Sequence, residues 1–243
     1  MPVNNFTVIE SDYGRFIVNR HCDFQAEALI KTGRPHIQAE LNNILAIASQ
    51  LPAGCVIVDA GANIGLVAVP LAQSVRGRGG VVHAFEAQRM IRYALCGAAA
   101  LNDLENLVVH NAALGAAPGS LGIGRPDYGR KQDFGTFSLV APPETATERI
   151  DVVAIDSIGL DRLDFLKIDV EGMEPQVLSG ARGMIEAHLP WCWVEYWKVG
   201  IEDIKRHFAG LDYRFYVMDN LNLLCVPEQR LAGSSVRIQA PAA

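Results

Sequence analysis

Several short stretches of this sequence place acids, amides and glycines where a small molecule can be held and a proton moved. The first is Asp59-Ala60-Gly61-Ala62-Asn63-Ile64-Gly65, which follows the apolar run Cys55-Val56-Ile57-Val58. Glycines after a strand let the chain turn sharply and approach a ligand. A turn built for a dinucleotide reads GxGxxG, its middle glycine leaving room for a pyrophosphate. Here Asn63 takes that place and an acid precedes the turn. An acid beside a pyrophosphate is unfavourable. The turn points instead to a ligand with a cationic end, served by Asp59, and a carboxylate, served by backbone N–H groups. Taken alone, it is also compatible with a plain strand-to-helix joint.

S-adenosylmethionine has that chemistry: a sulfonium, an ammonium, a carboxylate and no phosphate. Glu86 follows Val81-Val82-His83-Ala84-Phe85, where a carboxylate can accept hydrogen bonds from both ribose hydroxyls. Asn111-Ala112-Ala113 follows Leu107-Val108-Val109-His110. An amide there can reach an adenine edge, and the alanines leave room for the ring. The expected cofactor set is Asp59, Gly61, Ala62, Asn63, Gly65, Glu86, Ala87, Asn111, Ala112 and Asp169.

A second group of residues can move a proton. In Asp164-Phe165-Leu166-Lys167-Ile168-Asp169, strand alternation puts Phe165, Lys167 and Asp169 on one side. Asp169 is the first candidate for a base, since a neutral alcohol must lose its proton to attack a methyl group. Lys167 either keeps Asp169 ionised or pairs with Glu195, and Glu171 completes the candidate catalytic set. The competing reading is that Asp169, Glu171 and Glu174 simply complement a helix N-terminus. Carboxylate clusters also suit a divalent ion, but nothing in the spacing requires one, and no metal is expected. His83 and His110 lie inside strands and read as core histidines; His36 precedes a helix close to the pocket. Tyr128, Ser138, Tyr196 and Trp197 are the candidates for lining an acceptor site.

The elements that must position these residues alternate strand and helix. Short continuous apolar runs at 55–58, 81–85, 107–110, 165–168 and 191–194 suit strands buried on both faces of a parallel sheet. Helices are expected at 24–32, 35–50, 64–75, 88–101, 175–185 and 201–209, with Pro70 kinking the third. Phe6 to Val18 reads as an N-terminal hairpin, and Tyr213–Met218 with Leu221–Val226 as a closing one. The expectation is an α/β, doubly wound, mostly parallel sheet with an antiparallel C-terminal hairpin. Residues 1–50 form an N-terminal hairpin and helical cap, 51–232 the cofactor-binding domain with an inserted loop or hairpin at 112–155, and 233–243 a tail.

The stretch Lys167-Ile168-Asp169-Val170-Glu171-Gly172-Met173-Glu174 through Val177-Leu178-Ser179-Gly180-Ala181 resembles the signature of the FkbM family of methyltransferases. Val56–Gly65, His83–Glu86, Asn111–Leu114 and Val153–Ser157 resemble the family's other motifs, so the resemblance runs from about residue 36 to 197. It implies a Rossmann-like class I methyltransferase fold, S-adenosylmethionine as cofactor, and methyl transfer to a hydroxyl of a sugar, polyketide or other secondary metabolite. A glycan, protein or nitrogen acceptor is the alternative, as is a cofactor-binding partner protein without turnover. The intact acids Asp59, Glu86 and Asp169 argue against the last. Three positions depart from the pattern: Ala87 instead of proline, Pro70 within a helix, and Tyr196-Trp197 after Glu195 where a histidine is usual.

Bulk composition narrows the partners. A net charge of -6 argues against nucleic acid and anionic membrane. The five cysteines have no CxxC spacing, which excludes a zinc site of that type and fits a reducing cytosol. The opening MPVNNFTVIE has no basic segment followed by an apolar one, so no secretory leader is expected. The expected partner is a small hydroxyl-bearing molecule. The oligomeric state stays open, a homodimer included.

Overall fold

In the computed structural model, residues 4–22, 25–124, 126–135 and 148–231 are described. An antiparallel hairpin comes first, β1 (Phe6–Ser11) and β2 (Gly14–Asn19), followed by α1 (Gln25–Thr32) and α2 (Gln38–Gln50). α2 turns Leu41, Ile44, Ile47 and Ala48 inward, the helical spacing seen in the sequence.

Strand and helix then alternate: β3 (Val56–Ala60), α3 (Ala68–Arg76), β4 (Val81–Phe85), α4 (Arg89–Leu101) and β5 (Leu107–His110). The insert contributes β6 (Ala113–Leu114), β7 (Gly119–Ile123) and β8 (Glu148–Val153), which form their own small sheet in the order β6-β8-β7. After it come β9 (Phe165–Ile168), α5 (Glu174–Ser179), α6 (Arg182–His188), β10 (Trp191–Glu195) and α7 (Ile201–Arg206). The hairpin β11 (Tyr213–Val217) and β12 (Asn222–Pro227) and the short α8 (Glu228–Leu231) complete the described chain.

The main sheet has seven strands in the order β11-β12-β10-β9-β3-β4-β5. The five strands from β10 to β5 run parallel, and β12 runs antiparallel to both of its neighbours, β10 and β11. This is the doubly wound, mostly parallel sheet with a C-terminal hairpin that the sequence leads one to expect. Its strands are apolar on both faces because each face has its own core. Ile57, Phe165 and Trp193 join a cluster with Leu29, Ile44, Leu71 and Leu95, on the side of α1 to α4. Val58, Leu166 and Val194 join another with Val177, Ile185 and Ile204, on the side of α5 to α7. Side chains one residue apart thus feed opposite layers. Strand order reverses at β3, with β4 on one side and β9 on the other, so the crevice at the carboxyl ends of β3 and β9 is where a ligand fits.

Three expectations need correction. The helix expected from residue 64 begins at Ala68, so Pro70 lies in its first turn and kinks nothing. The N–H groups of a first turn have no partner within the helix, and a proline there loses no bond. The helix expected over 175–185 breaks at Gly180, where a Cβ would meet the Gly115 carbonyl oxygen at 2.0 Å. The insert is more than a loop or hairpin: β8 pairs with β7 antiparallel and with β6 parallel. Ser138 and the tail at 233–243 lie outside the described residues. No helix among the described residues is long and apolar enough to cross a membrane.

Candidate active site

The turn after β3 is held by the strand beside it. The N–H groups of Gly61 and Ala62 both donate to the carbonyl oxygen of Phe85, at 3.0 and 2.9 Å. Asn63, at φ +50°, donates its N–H to Glu86 Oε2 at 2.9 Å, and Gln88 donates its N–H to Glu86 Oε1 at 2.7 Å. Glu86 is buried, and burial pushes its carboxyl up to about 7 against the pull of the Gln88 and Asn63 N–H groups. Each Glu86 oxygen has one protein donor, which leaves a lone pair on each for a ligand.

The glycines do something different from what the sequence leads one to expect. A Cβ on Gly61 (φ +78°) would meet the Asp169 carbonyl oxygen at 1.8 Å, and one on Gly65 (φ +93°) would meet Leu95 Cδ1 at 2.6 Å. Their space is filled by the chain itself. They let the turn pack closely against the Asp169 backbone and α4, and of the two only Gly61 lines the cavity.

A cavity of about 290 Å³ opens beside this turn. Of the expected cofactor set, Asp59, Gly61, Ala62, Asn63, Glu86, Ala87, Ala112 and Asp169 line it, and Gly65 and Asn111 do not. Gly65 is buried under Leu95, and Asn111 is exposed. The stretch after β5 therefore offers the cavity Ala112, Ala113 and Leu114 but not the amide.

Lys167 sits between two acids, its Nζ 3.5 Å from Asp59 Oδ1 and 3.2 Å from Asp169 Oδ2. Burial lowers the lysine, but Asp169, Asp59 and Glu40 together outweigh it and hold Lys167 above its ordinary value, as a fixed cation. Asp59 is fully buried; burial pushes its carboxyl up, Lys167 pulls it down, and its Oδ2 has no hydrogen-bond partner.

Beyond Lys167 the cavity is acidic. Asp169, Glu171 and Glu195 all line it. Burial, then Asp169 and Glu171, push Glu195 up to about 8. Glu171 adopts φ +61° and is paired with Lys198. For a non-glycine residue the left-handed region costs roughly 1–2 kcal/mol. Glu174 serves the chain instead: its Oε1 accepts the N–H groups of Val170 and Gly172, each at 3.1 Å, and closes the turn into α5. One oxygen from each of Asp169, Glu171 and Glu195 falls within 4.8 Å of the others. Lys167 and Lys198 bring positive charge to that cluster, paired with Asp169 and Glu171 respectively.

The largest omission from the sequence reading is Glu40. It reaches the same cavity from α2, and burial pushes it up to about 7. The signal was available: Glu40 falls on the stripe that carries Ile37, Leu41 and Ile44, where an acid is out of place. His36, the weakest of the sequence candidates, lines the cavity too. His83 and His110 face each other at 3.0 Å outside it, with His110 stacked on Phe85.

The acceptor candidates scatter. Tyr128 packs on Phe6 and Phe134, with ring centroids 6.0 and 5.1 Å away. Tyr196 donates its hydroxyl to the Asp219 carbonyl oxygen at 3.0 Å. Trp197 is 53% exposed, with Lys198 Nζ 5.1 Å from its ring. None of the three lines the cavity, and that side is formed instead by Asp133, Gly135, Leu221 and Asn222.

The acidic turn at the end of β3, the acid at the end of β4 and the start of the Lys167–Ala181 segment line one crevice. The sequence profile of the methyltransferase FkbM domain matches residues 59–215, which spans all three. The chain belongs to the FkbM methyltransferase family. The methyltransferase FkbM from Methylobacillus flagellatus KT is similar in structure, with a TM-score of 0.53 and 21% identity over 78% of this chain and 51% of that one. The FkbM-family chain described here thus spans about half the length of that relative. Their likeness is one of fold, the Rossmann-like class I methyltransferase fold. Precorrin-6y C5,15-methyltransferase from Geobacter metallireducens GS-15 aligns with a TM-score of 0.49 and 14% identity over 83% of this chain and 90% of that one. A Pyrococcus abyssi tRNA (uracil-54, C5)-methyltransferase, solved with S-adenosyl-L-homocysteine, aligns with a TM-score of 0.47 and 13% identity over 91% and 44%. No curated protein matches the sequence.

Proposed function

We propose that this FkbM-family chain is an S-adenosylmethionine-dependent O-methyltransferase whose acceptor is a small molecule, a sugar, polyketide or related metabolite bearing a hydroxyl. The observation that carries the reading is one continuous cavity that joins the Asp59–Gly65 turn and Glu86 to an acid-lined end. Its volume is of the order of small-ligand sites.

The residues present fit the cofactor. The free Oδ2 of Asp59 is a buried acceptor that suits a cationic group. The spare lone pairs of Glu86 suit two ribose hydroxyls, and Ala112 and Ala113 leave room for a flat ring. Once bound, the cofactor supplies an electrophilic methyl group on a sulfonium. The chain's part is to hold that methyl in line with an acceptor oxygen and to take the acceptor's proton, and positioning alone can remove much of the barrier.

An acidic cavity wall and a net charge of -6 favour a neutral acceptor over an anionic one or a nucleic acid. Five free cysteines, four of them buried, suit a reducing cytoplasm. Calorimetry tests the reading: S-adenosylhomocysteine binds and NAD does not. Tight NAD binding without S-adenosylhomocysteine binding would refute it.

A further inference from the structure

We propose, resting on the methyl-transfer reading above, that Glu195 and not Asp169 is the group that takes the proton from the acceptor hydroxyl. Three acids crowd the far end of the cavity, and two of them are committed elsewhere. Asp169 Oδ2 lies 3.2 Å from Lys167 Nζ, an ammonium buried between Asp169 and Asp59. That ion pair occupies the Asp169 oxygen that faces Lys167. Glu171 is paired with Lys198. Glu195 lies with them, one of its oxygens within 4.8 Å of theirs, and no hydrogen bond or ion pair to its carboxylate is found among the described residues.

Backbone geometry places it well. Glu195 is the last residue of β10, beside β9, and lines the cavity at the crevice where strand order reverses. The charged groups that face it are Lys167 on β9, Asp169 and Glu171 on the turn that follows, and Glu174 at the start of α5. Across β12 its partner is Asn222, which does not titrate. Glu40 on α2 shares the cavity. Acids outnumber cations in this set, and together with burial they push Glu195 up to about 8, a value matched to accepting a proton near neutral pH.

The step balances. The acceptor O–H gives its proton to a Glu195 oxygen. The oxygen lone pair forms a bond to the methyl carbon, and the C–S bonding pair stays on sulfur. A methyl ether, S-adenosylhomocysteine and a protonated Glu195 result. Glu195 then returns the proton to water through the open cavity. Lys167 and Asp169 act as positioning residues, a fixed ion pair that keeps the β9 end rigid and leaves the free basicity on β10.

The test needs no acceptor. Sinefungin carries an ammonium where S-adenosylmethionine carries its transferable methyl, so its affinity relative to S-adenosylhomocysteine reads negative charge just beyond the methyl position. In the wild type that ratio is expected to rise about tenfold from pH 6 to 8.5 as the base ionises. Glu195→Gln flattens the rise while S-adenosylhomocysteine affinity stays within about twofold, and Glu195→Asp restores part of it. Asp169→Asn moves the rise to lower pH, because a like charge has gone, without abolishing it. A rise that survives in Glu195→Gln, or that disappears in Asp169→Asn or Glu40→Gln, overturns the assignment. A wild-type protein that binds neither ligand overturns the methyl-transfer reading itself, and the assignment falls with it.

Discussion

Asp164 and Asp169 stand at opposite ends of β9, and their surroundings are opposite too. Asp164 is 1% exposed. Its Oδ2 accepts the Val56 N–H at 2.9 Å and its Oδ1 accepts Arg162 at 2.8 Å, with Arg230 at 3.7 Å. Arg230 also donates to the His188 carbonyl oxygen, so the acid ties β3, β9 and the C-terminal segment together. At the other end, Asp59, Asp169, Glu171, Glu195 and Glu40 share two lysines. An acid with donors on both oxygens repays its desolvation, whereas acids crowded together without enough cations do not. One strand thus carries a structural carboxylate at its start and a costly set at its end. The cost at the carboxyl end makes sense if a ligand completes what the chain leaves open.

The largest effect should come from breaking the saturated end. Asp164→Ala leaves the Val56 N–H and the Arg162 guanidinium without their acceptor and removes the ion pair with Arg230, and a loss of about 2–4 kcal/mol in urea unfolding is expected. S-adenosylhomocysteine affinity should be unchanged, since Asp164 is not on the cavity. A mutant as stable as wild type would break the contrast at its firmest point. Next comes Glu86→Ala at the other end. Two ligand hydrogen bonds are removed and the Asn63 and Gln88 N–H groups lose their acceptor, so cofactor affinity should fall about 10- to 100-fold by calorimetry. A change under twofold would take Glu86 out of the site.

Those two ends were not equally legible in sequence. The strands could be read because each is a short continuous apolar run, and both faces of the sheet turned out to be covered. Glu86 and Asp59 could be read because each directly follows or ends such a run. Local spacing said nothing about contacts between distant segments. Glu40 lies on a helix that precedes the whole sheet, and only packing brings it to Asp169. Asn111 sits one residue before the part of its segment that faces the cavity, an error of one position that reverses which way a side chain points in extended chain. Gly61 and Gly65 advertise close approach, but the sequence does not say of what, and the answer is the chain's own Asp169 carbonyl and Leu95. The pairing of Lys198 with Glu171 depends on a left-handed residue in mid-signature, which no propensity predicts.

A pH series sharpens the comparison at lower amplitude. Glu40 and Glu86 are pushed up to about 7 and Glu195 to about 8, from an ordinary value of 4.5. Between those values the folded chain binds more protons than the unfolded chain, so stability falls as pH rises. The thermal midpoint should drop by a few degrees from pH 5 to pH 8, at roughly 2–4 °C per kcal/mol for a chain of this size. Glu195→Gln and Glu40→Gln should each reduce the slope. A midpoint that rises across the window would mean that these acids are ionised and satisfied, like Asp164.

The smallest effect is expected just outside the cavity. Trp197 follows the acidic end by two residues, yet it is half exposed, and its ring meets the Lys198 ammonium at 5.1 Å. An exposed cation–π contact contributes about 0.5–1 kcal/mol at most. Lys198 is also paired with Glu171, a contact that does not involve the ring. Trp197→Ala should therefore leave stability within roughly 1 kcal/mol and leave S-adenosylhomocysteine affinity unaltered. The cavity boundary on this side would then be Glu195, Leu221 and Asn222, as the lining indicates. A large loss of cofactor affinity in Trp197→Ala would instead mean that the indole folds over the bound ligand, and the acidic end would be a covered compartment rather than an open one.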